Sequence, residues 1–319
     1  MIDKLREKLG DGILENEPLA NHCTFKIGGP ARYFFVAKSE EEVKRAVEAA
    51  AELGLEIFIF SGGSNVLFSD DGFDGIVVKI QNTKYEIQDT KIVAEAGVKL
   101  SEVVAAAAKN GLTGLEWAAG IPGTVGGAAR GNAGAYGKAT GDAVEEVEVL
   151  NQESKITKYK KENCKFGYRD SIFKKEGGII LRVVFKLTLG DKKKIKEEMD
   201  RILKARGEKI PTDRSAGSFF KNVEATDEIV KIIKERAHED MPADFISKGK
   251  IPAAWLIDQC DLKGKQVGGA KISEKHANFI VNAGNASAGD VIALASFVKV
   301  KVRDEMGVQL QEEVEYVGF

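Results

Sequence analysis

Cysteine, histidine and proline are scarce in this 319-residue chain, with three, three and six of each. Cys23, Cys164 and Cys260 lie far apart with no C-x-x-C pair, so a disulfide framework is not expected, and the odd, sparse count fits a reducing cytoplasm. His22, His238 and His276 do not cluster with them, and no metal site is expected. No apolar run is long enough to span a membrane, and the opening MIDKLREKLGDG has no apolar signal core. Charge of one sign is missing as well. Lys and Arg number 47 against 49 Asp and Glu, a net of −2, which argues against a nucleic-acid partner. The chain contains no G-x-G-x-x-G, no G-x-x-x-x-G-K-[ST], no G-x-S-x-G and no H-E-x-x-H, which sets aside Rossmann, P-loop, α/β-hydrolase and zincin chemistry.

Glycine is abundant instead, at 34 residues, and it clusters between Gly120 and Gly141. Hydrophobic residues at 43% and charged residues at 30% suit a globular chain with a buried core. The length suggests two domains or three. Tyr33–Ala37, Leu55–Phe60 and Gly75–Ile80 read as strands. Ser39 and Glu42 form S-x-x-E ahead of a helix that Gly54 stops, which gives a β-α-β start. Ser101 is expected to cap a second helix that ends at Asn110-Gly111. Strands follow at 144–150, 155–159 and 179–189, and Asp191 caps a basic helix ending near Arg206-Gly207. The polar stretch EKIPTDRSA, 208–216, reads as a domain boundary. Beyond it, helices fit 226–237, 252–260 and 290–303, and strands fit 277–282 and 313–317.

Four motifs carry candidate chemistry. Ser61-Gly62-Gly63-Ser64-Asn65-Val66-Leu67 follows a buried strand; it can approach an anion with open N–H groups, or be a plain strand-to-strand turn. The stretch from Ala119 to Gly137, AGIPGTVGGAARGNAGAYG, is poor in large side chains that could fill a core and carries less charge than most solvent loops. A main chain wrapped around a flat or extended ligand is favoured over a Gly-rich surface loop. Gly167-Tyr168-Arg169-Asp170-Ser171 offers a cation that, taken alone, would by default pair with Asp170 or another acid at the surface. Ala216-Gly217-Ser218-Phe219-Phe220-Lys221-Asn222 could line a pocket for an anionic ligand or be an ordinary strand.

Taken together with Asn21-His22-Cys23-Thr24-Phe25-Lys26-Ile27-Gly28-Gly29-Pro30-Ala31, Ala254-Trp255-Leu256-Ile257-Asp258-Gln259, His276-Ala277-Asn278-Phe279-Ile280-Val281-Asn282 and the terminal Glu313-Val314, these stretches resemble the UDP-N-acetylenolpyruvoylglucosamine reductase family, in order and over nearly the whole chain. The resemblance implies an α+β fold: a two-lobed FAD-binding domain of the vanillyl-alcohol-oxidase (PCMH) type over 1–208, with lobes at about 1–80 and 81–208, then a smaller α/β substrate-binding domain over 209–305. A C-terminal strand over 306–319 carries Glu313, and its return onto the first lobe is an open option. Between Ser171 and Asp191 there is little room beyond one strand, so the chain resembles the shorter type of the family, without the inserted segment that bears a substrate-covering Tyr. Val223 stands where the family often has Pro.

The implied activity is reduction of the enolpyruvyl ether of UDP-N-acetylglucosamine to UDP-N-acetylmuramate, with NADPH as hydride donor. FAD is implied to be held noncovalently, since no His lies in the Gly-rich loops. The implied catalytic residues are Arg169, Ser218 and Glu313. The implied cofactor contacts are Gly62, Gly63, Ser64, Asn65, Val66, Gly120, Ile121, Pro122, Gly123, Thr124, Gly126, Gly127, Ala128, Asn132 and Gly134. The implied substrate contacts are Tyr168, Lys209, Lys221, Asn222 and Gln259. The partners are then small molecules, with neither nucleic acid nor membrane, in the cytoplasm. Two alternatives are another FAD oxidoreductase of similar fold and a non-catalytic flavin or nucleotide carrier; a carrier does not need Arg169, Ser218 and Glu313 together.

Overall fold

Ser39 opens the helix Glu40–Leu53, its hydroxyl accepting the Glu42 N–H at 3.2 Å, and Gly54 closes it in a left-handed conformation. Glu42 reaches past the cap to the Lys38 N–H instead of Ser39, so the S-x-x-E box is only half made. Val43, Ala46, Ala49 and Ala50 form the buried stripe, at the i, i+3 and i+4 spacing of one helix face. This is a computed structural model, and it describes residues 1–151 and 153–319.

The chain forms two units: Met1–Glu17, Ala31–Gly62 and Asp74–Glu208 make the first, and Pro18–Pro30, Gly63–Phe73 and Lys209–Phe319 the second. The first holds two large sheets and two short two-stranded ones. A four-stranded sheet runs in the order Leu14–Pro18, Pro30–Ala37, Phe73–Ile80, Ile57–Phe60, the last two paired in parallel. A five-stranded antiparallel sheet runs Ile156–Lys160, Val144–Leu150, Ile179–Lys186, Lys91–Glu95, Tyr85–Gln88. Helix Leu100–Lys109 and the short helix Val125–Arg130 share one core with this sheet, through Val103, Val104, Ala107, Val125 and Ala129 with Val147, Val183 and Phe185.

Three local expectations change here. Ser101 does not cap its helix, which begins one residue earlier behind Lys99. The buried Leu100 gives its N–H to the Gly123 carbonyl, and that docking sets the start. The expected strand over 179–189 breaks at Leu187, whose N–H turns to Thr90, and resumes as Thr188–Leu189 against Leu112–Thr113. The basic helix capped by Asp191 runs through Gly207 to Lys209.

The second unit gathers two early segments that the sequence reading placed within 1–208. Hydrogen bonding explains the difference. Strand Val66–Phe68 pairs in parallel with Glu315–Val317, the Ser69 N–H reaches the Val317 carbonyl at 2.9 Å, and the Gly29 N–H reaches Ser69 at 2.8 Å. The Asp70 carboxylate accepts the Ala288 and Gly289 N–H groups at 2.8 and 3.1 Å, at the start of helix Ala288–Met306. An anion there stabilises otherwise unpaired first-turn donors. Helices Asp227–Arg236 and Ala253–Gln259 and the sheet Gln266–Val267, Ala270–Ile272, Ile280–Asn282 also belong to this unit. Glu313 lies just ahead of its strand, and the strand expected from Ala277 begins only at Ile280, because Phe279 turns back to His276.

Candidate active site

In the first unit two glycine-rich stretches touch. A side-chain carbon added to Gly62 would lie 2.9 Å from the Cα of Gly123, so a larger residue would push the backbones apart. Gly123 adopts φ 108° and Gly120 φ 75°, a region that side chains rarely tolerate. Next to Gly123, the Thr124 hydroxyl is buried without a hydrogen-bond partner in the structure. An orphaned buried hydroxyl costs free energy unless a ligand or water completes it. Touching glycine backbones beside such a hydroxyl fit a cofactor whose polar chain lies along them.

Part of that stretch is buried in packing. Val125, Gly126, Ala128 and Ala129 are buried in the short helix Val125–Arg130, where the glycine content predicts a loop. A side-chain carbon at Gly126 would meet the Ala96 Cβ at 2.7 Å, so this glycine lets helix and strand approach. The Val125 and Gly126 N–H groups donate to Val98 and Ala96 at 2.9 Å each, so both amides are paired within the chain. Ile121 gives its N–H to Ala118, and Gly127 has only the Thr124 hydroxyl near its added carbon, at 3.7 Å.

The GYRDS motif is bound to the second half of the same stretch. The Asn132 amide donates to the Gly167 carbonyl at 2.7 Å and accepts the Gly141 N–H at 2.8 Å. Ser171, fully buried, donates to Arg130 at 2.6 Å, and the Arg169 guanidinium donates to Gly134 at 2.8 Å. Arg169 has φ 55°, and its guanidinium carbon sits 5.1 Å from the Tyr168 ring centre. Asp170 meets Lys175 at 2.5 Å, and that bond holds its carboxyl below the usual range.

In the second unit the Glu313 N–H donates to the Phe219 carbonyl at 2.8 Å, directly after Ser218, and the Lys221 N–H donates to Gln311 at 2.8 Å. The Asn65 amide donates to the Glu313 carbonyl at 3.1 Å. Gly63, at φ 61°, accepts the Thr24 N–H. Val66 is buried in the parallel strand, and the Ser64 carbonyl lies 3.9 Å from a carbon added at Gly217. Phe219, next to Ser218, thus shares one stretch of main-chain pairing with Glu313, Asn65 and Lys221. Asn222 accepts the Ala253 N–H at 3.2 Å, at the start of helix Ala253–Gln259, while Gln259, at its far end, exchanges two hydrogen bonds with Glu239. Lys209 is exposed, and its charge helps hold the His276 imidazole below its usual pKa, after the larger effect of burial.

A family model described as the UDP-N-acetylenolpyruvoylglucosamine reductase C-terminal domain matches residues 209–317, and an FAD binding domain model matches 31–160. The reductase of that name from Caldanaerobacter subterraneus subsp. tengcongensis is 39% identical over 321 aligned positions, 100% of this chain and 98% of the relative. The chain belongs to the UDP-N-acetylenolpyruvoylglucosamine reductase family. The Clostridium tetani reductase is 37% identical over 99% of this chain and 96% of its own. The crystal structure of the Thermus caldophilus reductase covers 96% of this chain and 98% of its own, at 34% identity and a TM-score of 0.76. The chain is therefore an FAD-dependent reductase of peptidoglycan precursor synthesis, drawing on NADPH and acting on a UDP-sugar.

Three side chains to which the motifs assign no role stand beside these segments. Thr24 joins the Gly63 loop to the Ser218 segment, its hydroxyl donating to Ser215 at 2.6 Å. Arg206 is half-buried beside Gly120, where an added carbon would meet its Nε at 3.1 Å, and burial lowers its pKa. Its position in a helix full of exposed cations hides it from pattern reading. Asn278 is buried and bonded to Phe220 on two sides. Among the described residues, no His, Cys, Asp and Glu group could hold a metal, and no helix is long and apolar enough to cross a membrane.

Proposed function

We propose that Arg169, Ser218 and Glu313 carry the carbon chemistry of this reductase, on the enolpyruvyl ether of UDP-N-acetylglucosamine. Bound FAD supplies the hydride, taken from NADPH, that forms the new C–H bond at C3 of the ether. The electron pair displaced from the double bond then rests at C2 and spreads into the adjacent carboxylate. The Arg169 guanidinium stabilises that charge, and Glu313 shares a proton or hydrogen bond with the carboxylate; charge that develops in the reaction is where preorganised donors help most. The Ser218 hydroxyl gives its proton to C2, forming the second C–H bond, and solvent reprotonates the serine oxygen. A hydroxyl is a weak acid, but an enolate carbon is a strong base, so geometry decides the step.

The observation that carries this reading is the Glu313 N–H bond to Phe219, which couples two of the three residues through one strand-like contact. Touching glycines 62 and 123, beside the unpartnered Thr124 hydroxyl, support the flavin contacts at Gly62, Gly120, Gly123 and Thr124. Flavin is held noncovalently in this reading, because no His lies in either loop. Between Ser171 and Asp191 the chain is taken up by helix Ile172–Lys175 and two strands, which supports the shorter family type. A cytoplasmic location follows from the UDP-sugar substrate and three buried, unpaired thiols.

The test separates the two half-reactions. Ser218→Ala is expected to reduce its flavin with NADPH at near the parent rate and to reoxidise it with the enolpyruvyl substrate at least ~10²-fold more slowly. Ser218→Cys recovers part of the loss. Reoxidation of Ser218→Ala at the parent rate, followed by stopped-flow absorbance, removes Ser218 as the donor.

A further inference from the structure

Ser218 follows Gly217, which adopts φ 80° and leaves the chain ahead of the serine unrestrained by a side chain. What holds the serine lies after it. Phe219 and Phe220 present four main-chain polar groups, and all four are paired. The Phe219 N–H donates to the Asn278 carbonyl at 2.8 Å, and the Phe219 carbonyl accepts the Glu313 N–H at 2.8 Å. The Phe220 N–H donates to the Asn278 Oδ1 at 2.9 Å, and the Phe220 carbonyl accepts from the Asn278 Nδ2 at 2.8 Å. One residue therefore makes three of the four bonds. Its side-chain amide stands in for a neighbouring strand at a place where the strand Ile280–Asn282 has not yet begun.

Asn278 is itself held. It is 3% exposed, and its own N–H donates to the His276 Nδ1 at 3.2 Å. Phe219 and Phe220, at 0% and 2% exposure, anchor the segment in the core, with their ring centres 5.2 Å apart in an edge-to-face contact. Burial itself is non-directional, whereas hydrogen bonds are directional. The paired amide fixes rotation about the segment axis, and so the direction in which the preceding serine points.

We propose that Asn278 is a positioning residue for the proton transfer to C2, acting through Ser218. This rests on the reading of Ser218 as proton donor. Proton transfer demands placement to within a fraction of an ångström, and a small misplacement from a remote change is costly in rate. Hydride transfer from NADPH makes no such demand on Ser218.

The test is a double-mutant cycle on the flavin-loaded, full-length enzyme. Asn278→Asp keeps the shape but places an acceptor against the Phe220 carbonyl; Asn278→Ser keeps a donor in a smaller side chain. Flavin reduction by NADPH is expected to stay within about twofold of the parent in both, while reoxidation by the enolpyruvyl substrate at saturation slows by about tenfold or more. The double variant Ser218→Ala/Asn278→Asp is expected to reoxidise no more slowly than Ser218→Ala, since residues acting through one group are not additive. A purely structural role multiplies the two losses, or lowers both half-reactions alike, and either result overturns the proposal. So does failure of both single variants to load flavin, which makes Asn278 a folding determinant. If Ser218→Ala itself reoxidises at the parent rate, the donor reading falls and the proposal falls with it. If Ser218→Ala is slow and both Asn278 variants are normal, only the positioning role falls.

Discussion

The side-chain amide of Asn65 donates to the main-chain carbonyl of Glu313 at 3.1 Å, across 248 positions of sequence, and the Glu315 N–H returns a bond to the Asn65 carbonyl at 3.1 Å. The asparagine of the G-G-S-N motif is thus tied to the C-terminal segment. Asn65→Ala is expected to destabilise the protein by about 1–3 kcal/mol, the cost of leaving a shielded partner unmade. Denaturant unfolding measures this, and flavin content measured alongside gives the contrast. A fall in flavin content at unchanged stability would assign the side chain to the cofactor instead.

Gly62 and Gly126 are expected to fail in different ways. Gly62→Val forces the Gly123 backbone away and is expected to lower bound flavin per chain. Gly126→Val drives a branched carbon into Ala96 and is expected to destabilise the apoprotein by about 1–3 kcal/mol, the range for overpacking. Flavin absorbance per protein and thermal unfolding of the apoprotein separate the two. Equal apoprotein stability for Gly126→Val and parent would contradict the packing role.

Arg169→Lys retains the charge but not the planar fork that reaches the Gly134 carbonyl. Reoxidation of reduced flavin by the enolpyruvyl substrate is expected to slow by about 10²-fold, as for loss of one preorganised donor, with NADPH reduction little changed. Half-reactions measured by stopped flow check this, and loss of both halves together would point to collapse of the 132–141 loop.

Stability is expected to fall on mild acidification because of His276. Burial, with Lys263 and Lys209 adding to it, holds the folded pKa below the ordinary value of about 6.5, and the Nδ1 must stay unprotonated to accept the Asn278 N–H. The unfolded chain therefore binds the proton first. This contribution is fully present above about 6.5 and is lost as pH falls through the folded value. Urea midpoints on either side of that window, for the parent and His276→Gln, measure it. An identical pH dependence in both would remove His276 as the cause.

Local chemistry was enough to locate most elements. Ser39, Gly54, Asp191 and Thr226 mark helix ends because capping depends on residues within one turn. The family, its reaction and the segments that carry Arg169, Ser218 and Glu313 were legible as ordered motifs along the chain. The helix at 125–130 was not, because a run of Val, Gly and Ala has weak intrinsic preference and is made helical by docking on Ala96 and Val98.

The sequence by itself determined where the polar, glycine-rich and aromatic segments lie, since backbone freedom, burial and capping are properties of short stretches. Only the tertiary structure decided that 18–30 and 63–73 belong with 209–319, that Gly126 serves packing, that Gln259 turns to Glu239, and that Asn65 and Asn278 hold the main chain around Glu313 and Ser218. Each of these rests on hydrogen bonds or contacts between residues far apart in the chain. Such pairings leave no periodic trace, because one buried amide satisfies a distant backbone as readily as a near one.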